Sequence, residues 1–241
     1  MRELTGPVGH PVIFDVNLKV PRHDQRLVLG PIHSGKTVVL RHIVGLECAE
    51  RGTIAINGEM FDASGEPEAV RRRMQTRVGV VFGGSALVSR IGVLENVELP
   101  LLEHTDATPG QARESARELL AEVGLAVDED ITPGHLTRAE QRCVALARAV
   151  ALRPQVVLLD EPTLGLDSHA AHEFDETLAR LQERHGFGVL IFSHEVRHAF
   201  GRASYIYVLA RGRVVDQGDR EALMRSTQET VRQLLHRRGA A

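Results

Sequence analysis

The residues best suited to chemistry begin with a run of eight: Gly30, Pro31, Ile32, His33, Ser34, Gly35, Lys36 and Thr37. They fit the pattern G-x-x-x-x-G-K-[ST], in which glycines let backbone N–H groups close around phosphate oxygens. A helix opening at the lysine adds its own N-terminal amides to that cradle. Lys36 is then placed to reach β- and γ-phosphate oxygens and the Thr37 hydroxyl to ligate Mg²⁺, so ATP with Mg²⁺ is the implied pair. The bland alternative is a plain strand-to-helix turn. Such a turn has no need for Gly, Lys and Thr together.

A second group lies far downstream, where the apolar run Val156, Val157, Leu158 and Leu159 ends in Asp160, Glu161 and Pro162. Asp160 can join a Mg²⁺ shell, and Glu161 can orient water against a γ-phosphate. Acidic pairs after apolar strands arise often by chance. Position downstream of the 30–37 loop, with Leu164, Gly165, Leu166 and Asp167 following, makes this pair specific. His194 closes another apolar run, Ile191-Phe192-Ser193-His194-Glu195. A lone histidine is more often structural than functional.

These residues need strands and helices to present them. Residues 12–20 alternate apolar Val12, Phe14, Val16, Leu18 and Val20 with Asp15, Asn17 and Lys19, the period of a half-buried strand. Residues 26–29 predict a strand running into the glycine loop, residues 36–46 a helix, and residues 53–61 a hairpin turning at Asn57-Gly58. Residues 77–82 predict the next strand. Thr108-Pro109 then opens a helix with apolar Ala112, Ala116, Leu119, Leu120 and Val123, closed by Gly124. Strand runs return at 156–159, 188–192 and 204–209, so the stretch of about 84–154 predicts a helical subdomain inserted into an α/β core. The tail, 219–241, carries Leu223, Val231, Leu234 and Leu235 and predicts a helix packed on that core.

With 241 residues, 43% hydrophobic and 25% charged, the chain suits one large α/β domain, 1–241, with an inserted lobe. A net charge of −3 gives no electrostatic excess toward nucleic acid or anionic membrane, and no nucleic-acid partner is expected. Cys48 and Cys143 are too far apart in sequence for a metal-type pair and read as small buried hydrophobes in a reducing compartment. The start lacks the basic and apolar regions of a signal peptide, and the longest uncharged apolar stretch, 78–89, is too short to span a bilayer. The expectation is a cytoplasmic chain. Any work at a membrane then requires other chains to supply the spans.

From Pro11 to Gly218 the motifs resemble the ATPase subunits of ABC transporters, P-loop NTPases with a mixed sheet core and an inserted helical subdomain. The resemblance implies a Walker B acid at Asp160, a catalytic glutamate at Glu161, a D-loop aspartate at Asp167 and a γ-phosphate-sensing switch histidine at His194. It also implies integral membrane permease subunits as partners, a homo- or hetero-dimer of ATPase subunits, and a peripheral position on the inner face of the cell membrane. Residues 91–105 and 226–235 are similar to one branch, the ATPases of Mla/Mce-type phospholipid transport, which implies a phospholipid or another apolar cargo.

Four positions depart from the family. Gly83 stands where the Q-loop glutamine is expected, and glycine has no side chain to join the Mg²⁺/water shell. The signature Leu-Ser-Gly-Gly-Gln aligns with Leu136, Thr137, Arg138, Ala139 and Glu140, which removes both glycines and adds a negative charge. Two readings of that segment are open: Thr137 and Glu140 form a capping box that opens a helix, or Arg138 acts as a substitute phosphate contact. His33 replaces a glycine of the loop. Residues 1–11 offer no clear aromatic to stack on adenine. Two functions follow, a transport-coupled ATPase slowed by these changes, or a nucleotide-binding regulatory or assembly subunit with little turnover. A soluble ABC protein of repair or translation would need paired ATPase domains or long insertions.

Overall fold

The computed structural model describes residues 13–64, 76–126, 131–196 and 199–236. The chain separates into two compact units, one of Met1–Gln75 with Val189–Ala241 and the other of Thr76–Gly188.

The first unit is organised by four strands in the order β6 (Gly188–Ser193), β1 (Gln25–Leu29), β7 (Tyr205–Ala210), β8 (Arg213–Gly218). β1 is parallel to both neighbours, and β8 closes the sheet antiparallel to β7. The three parallel strands are apolar on both faces, with Leu27, Val28, Leu29, Val189, Ile191, Phe192, Ile206 and Val208 all buried. Continuous apolar runs are what a parallel strand covered on both sides requires. β8 is instead largely half-buried or exposed, with only Gly218 buried, as suits an edge. Around this sheet lie α1 (Lys36–Ile43), the hairpin of β2 (Thr53–Ile56) and β3 (Glu59–Asp62), and the short α6 (Ala199–Arg202). The hairpin turns at Asn57 (φ 53°) and Gly58 (φ 84°), the left-handed pair that a two-residue connection demands.

The expected strand at 12–20 does not form. Residue 12 lies outside the described residues, and 13–20 pair with no strand although their burial alternates as foreseen. Asp15 takes φ 47°, which breaks the extended run, and the backbone bonds go elsewhere: Phe14 N–H to Gly212 O (2.8 Å), Lys19 N–H to Tyr207 Oη (3.0 Å). Tyr207 Oη in turn donates to Lys19 O (3.0 Å) and accepts from Arg26 Nη1 (2.9 Å). Within the described residues the tail is helical in two pieces. Asp219 caps α7 (Arg220–Met224) through Ala222 N–H, and a break precedes α8 (Glu229–His236). Leu223, Val231 and Leu234 are buried as expected. Residues 237–241 lie outside the described residues, as does the 1–11 segment searched for an aromatic.

The second unit holds the parallel pair β4 (Val78–Val81) and β5 (Val156–Asp160) with four helices: α2 (Val93–His104), α3 (Pro109–Glu122), α4 (Arg138–Val150) and α5 (Ser168–His185). α4 is its hub, packed on β4, α2, α3 and α5 with Val144, Ala145, Leu146 and Ala147 fully buried. Gly79 allows that packing, because a Cβ there would clash with the Ala149 carbonyl oxygen. α3 starts at the foreseen Thr108-Pro109 box with Gln111 and stops before Gly124 (φ 78°). α5, the longest helix described, starts at an Asp167 cap and stops at left-handed Gly186.

Of the two cysteines, Cys48 is exposed rather than buried, and Cys143 is half-buried on α4. Burial and the nearby carboxylates of Glu140 and Glu173 push the Cys143 thiol up to about 11, against the opposing pull of Arg180. Thiolate is the reactive form, so at pH 8 only Cys48 should react with a thiol reagent in the folded protein, and both after unfolding. Two fast-reacting thiols in the native chain would contradict this. Tyr207→Phe removes the hydroxyl that anchors residue 19 and Arg26, and should cost about 1–3 kcal/mol in urea unfolding.

Candidate functional site

In the first unit the 30–37 loop follows β1 directly. Gly30 N–H donates to Ser193 O (3.1 Å), tying the loop to the end of β6, in register with Leu29. A Cβ at Gly30 would strike the Leu209 carbonyl and come within 2.6 Å of Ser34 Oγ, so only glycine lets the chain turn here. Ser34 N–H closes the turn on Pro31 O (3.1 Å), and Gly212 N–H holds Ser34 O (2.9 Å). The loop is thus gripped from β6 and from the β7–β8 turn.

Lys36, 7% exposed, folds over the loop and donates from Nζ to Gly30 O (2.8 Å) and Pro31 O (3.0 Å). Ser34 Oγ is buried and makes no hydrogen bond among the described residues. Gly35, left-handed at φ 107°, is the N-cap of α1 and gives its first amides no side-chain acceptor. A buried hydroxyl without a partner, uncapped helix amides and a central ammonium together form an anion cradle. Thr37, Ile32 and His33 face outward, and Pro31 is half-buried. His33 takes φ 64°, the left-handed conformation that explains a glycine preference there and that histidine tolerates better than most residues. His194 follows β6 immediately, half-buried, at the strand end adjoining the loop.

In the second unit β5 delivers Asp160, 8% exposed, as its last residue. Glu161 then turns the chain at φ 47°, with Leu164 N–H bonded back to Glu161 O (3.2 Å). Asp167 accepts from the amides of His169 and Ala170 at 2.9 Å each, and the Ala170 bond most of all holds its carboxyl below the usual range. Sequence reasoning read Asp167 for its motif and missed that it also starts α5. The signal was there: an acid ahead of Ala171, Phe174, Leu178 and Leu181 at helical spacing.

Gly83 follows β4. A Cβ on it would lie 3.4 Å from Asp160 O and 4.0 Å from Glu161 Cβ, ordinary contact, so a side chain at 83 would have room beside the acidic pair. The Thr137–Glu140 capping box is present: Glu140 Oε2 accepts from Thr137 N–H (2.7 Å) and Thr137 Oγ1 (2.8 Å), and Glu140 N–H donates to Thr137 Oγ1 (3.3 Å). The exposed Arg138 lays Nη1 against Gly165, 2.8 Å from where a Cβ would stand. Arg142, one turn further along α4, was not foreseen. It is 5% exposed and donates to Phe82 O (2.7 Å) and to Gly83 O. Burial, with help from Arg138, pulls its guanidinium below the ordinary value, and Asp160 opposes that pull.

Thr37 in the first unit and Asp160 in the second are each hard oxygen donors of the kind Mg²⁺ takes. Among the described residues no group of three or more His, Cys, Asp or Glu is placed to hold a metal ion. An ion that shares nucleotide oxygens with one or two protein ligands does not require such a group.

A glycine-rich strand-to-helix loop with a buried lysine, on a mixed sheet, defines a P-loop NTPase of the α/β class. Comparison with known proteins narrows the class: the ABC transporter family matches residues 13–164, and the chain belongs to it. It is 34% identical over 236 residues to the "Probable ribonucleotide transport ATP-binding protein mkl" of Mycobacterium bovis, covering 98% of this chain and 65% of that protein. The chain thus spans a little under two thirds of the mycobacterial relative. The "L-cystine transport system ATP-binding protein TcyN" of Escherichia coli is 35% identical over 234 residues, covering 95% of this chain and 93% of the relative. The "Lipoprotein-releasing system ATP-binding protein LolD" of Bordetella pertussis is 38% identical over 192 residues, covering 79% and 81%. Among solved structures, the dimeric post-hydrolysis state of the ATP-binding cassette MJ0796 bound to ADP and Pi matches with a TM-score of 0.77 and 27% identity, covering 86% of this chain and 90% of that one. No described helix is long and apolar enough to cross a membrane.

Thr137→Ala removes one half of the capping box and should cost about 1 kcal/mol of unfolding free energy. Chemical denaturation measures it, and an unchanged midpoint would mean that the box contributes nothing.

Proposed function

We propose that this chain is the ATP-binding and ATP-hydrolysing subunit of an ABC transporter, energising membrane permease subunits. The observation that carries the reading is the anion cradle at 30–37: Gly30 where no Cβ fits, the buried unpartnered Ser34 Oγ, and Lys36 drawn over the loop. Its amides and Lys36 bind the β- and γ-phosphates, with Gly30, Pro31, Ile32, His33, Ser34, Gly35 and Thr37 forming the wall. Mg²⁺ would supply neutralisation of the charge on the phosphates. Thr37 and Asp160 are the residues that would hold it. Glu161 orients the attacking water and takes its proton, and His194 senses the γ-phosphate.

The cargo reading is a phospholipid or another apolar substrate. It rests on the likeness of residues 91–105 and 226–235 to the Mla/Mce-type ATPases, and the lipoprotein-releasing relative is compatible with it, whereas the cystine and ribonucleotide relatives are not specific to it. Partners are permease subunits and a second ATPase subunit, on the inner face of the membrane; the dimeric state of the MJ0796 cassette supports the pairing. A second reading is favoured by Gly83 and by the capping box, which occupies the Thr137 and Glu140 amides: a regulatory or assembly subunit that binds ATP with little turnover.

Three measurements decide. Lys36→Ala should abolish ATP binding by equilibrium dialysis. Glu161→Gln should bind ATP normally but turn over about 10²-fold more slowly or less. The purified homodimer should hydrolyse slowly and accelerate beside a partner subunit with an intact Leu-Ser-Gly-Gly-Gln. Binding without Glu161-dependent turnover, even in the permease complex, would select the second reading. Turnover in vesicles that rises with phospholipid supports the cargo assignment, and a rise with an amino acid alone would sink it.

A further inference from the structure

Gly83 removes a side chain from the acidic corner of the second unit, and a side chain from α4 stands next to the gap. The Arg142 guanidinium bridges the carbonyls of Phe82 and Gly83. Arg148 on the same helix, half-buried, donates to Ser85 O (3.2 Å). Three carbonyls within four residues of the loop after β4 therefore accept from two arginines of one helix, the buried Arg142 and the half-buried Arg148. In the same loop, Ser85 and Ala86 take left-handed φ values of 63° and 47°. Asn96, fully buried on α2, fixes the next stretch by exchanging bonds with Val88. Such conformations persist only where the surroundings over-determine them.

A structural clamp alone does not require a charge at this place. Burying a guanidinium is expensive, yet this one lies close enough to Asp160 for their charges to interact, on a loop whose residue 83 would contact both Asp160 and Glu161. We propose that Arg142 is a positioning residue for hydrolysis: acting from α4, it holds the 82–86 loop against the Asp160–Glu161 corner and replaces the positional role of the absent glutamine side chain. The proposal rests on the reading of Asp160 and Glu161 as the hydrolytic acids. It makes α4, rather than the loop, the element through which the acidic corner is held.

The test uses the full chain with Arg142→Gln, Arg142→Lys, Gly83→Gln and the double variant Gly83→Gln/Arg142→Gln. Arg142→Gln should lower kcat about tenfold or more, the effect of a sub-ångström to 1 Å misplacement, with the KM for ATP within about twofold. Arg142→Lys should not restore it, because a single ammonium replaces the two-carbonyl fork poorly. The double variant should recover kcat at least severalfold, since a Cβ at position 83 meets only ordinary contacts beside the acidic pair. Hydrogen exchange over residues 82–86 should accelerate at least about tenfold in Arg142→Gln. Unchanged exchange and unchanged kcat would overturn the proposal. So would a joint loss of kcat, ATP binding and thermal midpoint without rescue, the mark of a purely structural arginine. If Glu161→Gln hydrolyses ATP as fast as the unmodified chain, the hydrolytic reading fails, and the exchange measurement alone then decides whether Arg142 holds the loop.

Discussion

A buried cation must find oxygen, and each unit of this protein supplies it from main-chain carbonyls. Lys36 lies over Gly30 O and Pro31 O, and Arg142 lies over Phe82 O and Gly83 O. Both side chains are less than a tenth exposed. Removing a charge from water costs several kcal/mol unless charge-assisted hydrogen bonds offset it. The loops must therefore turn their carbonyls inward, which forces the local backbone. Gly30, where a Cβ would strike the Leu209 carbonyl, is where that forcing falls. The parallel strands end, the chain turns over a cation, and a helix packed nearby holds the cation's stem.

The two cations differ in what they leave available. At 30–37 α1 has no side-chain cap, and among the described residues the buried Ser34 Oγ has no hydrogen-bond partner, so the loop offers donors to an anion. At 137–140 the opposite holds. Glu140 occupies Thr137 N–H and its hydroxyl, and Thr137 returns a bond to Glu140 N–H, so two amides at the start of α4 already have side-chain acceptors. A second anion brought to that helix start would displace a carboxylate and meet its charge. The same helix-terminus physics makes one loop receptive and the other closed.

What was legible in the sequence follows from distance along the chain. The 30–37 loop, the Asn57-Gly58 hairpin and the Thr108 and Thr137 caps depend on residues within a few positions, and their spacing gives them away. The 13–20 segment misled because alternating burial implies a pleated face but not a partner strand. Its partners turned out to be the Tyr207 hydroxyl and Gly212 O. α5 was hidden because Asp167 was read for a motif and not as a cap. The Arg142 fork joins residues 60 apart and could not be foreseen from periodicity, which marks a face of a helix but not the loop that the face will meet.

Backbone strain argues about which function the fold is arranged to support. Nine non-glycine residues among those described take positive φ, and four of them, His33, Ser85, Ala86 and Glu161, lie in the loops following β1, β4 and β5. Each costs about 1–2 kcal/mol relative to a right-handed or extended choice. At Asn57 a turn accounts for the cost. Glu161 is different, since glycine or asparagine would make the same turn more cheaply. A carboxylate kept there despite the strain is best explained by what the carboxylate does, and a subunit that only binds nucleotide has no task for it. On the proposed reading of Glu161 as a hydrolytic acid, the altered 83 and 137–140 segments would weigh on the rate of hydrolysis more than on its occurrence.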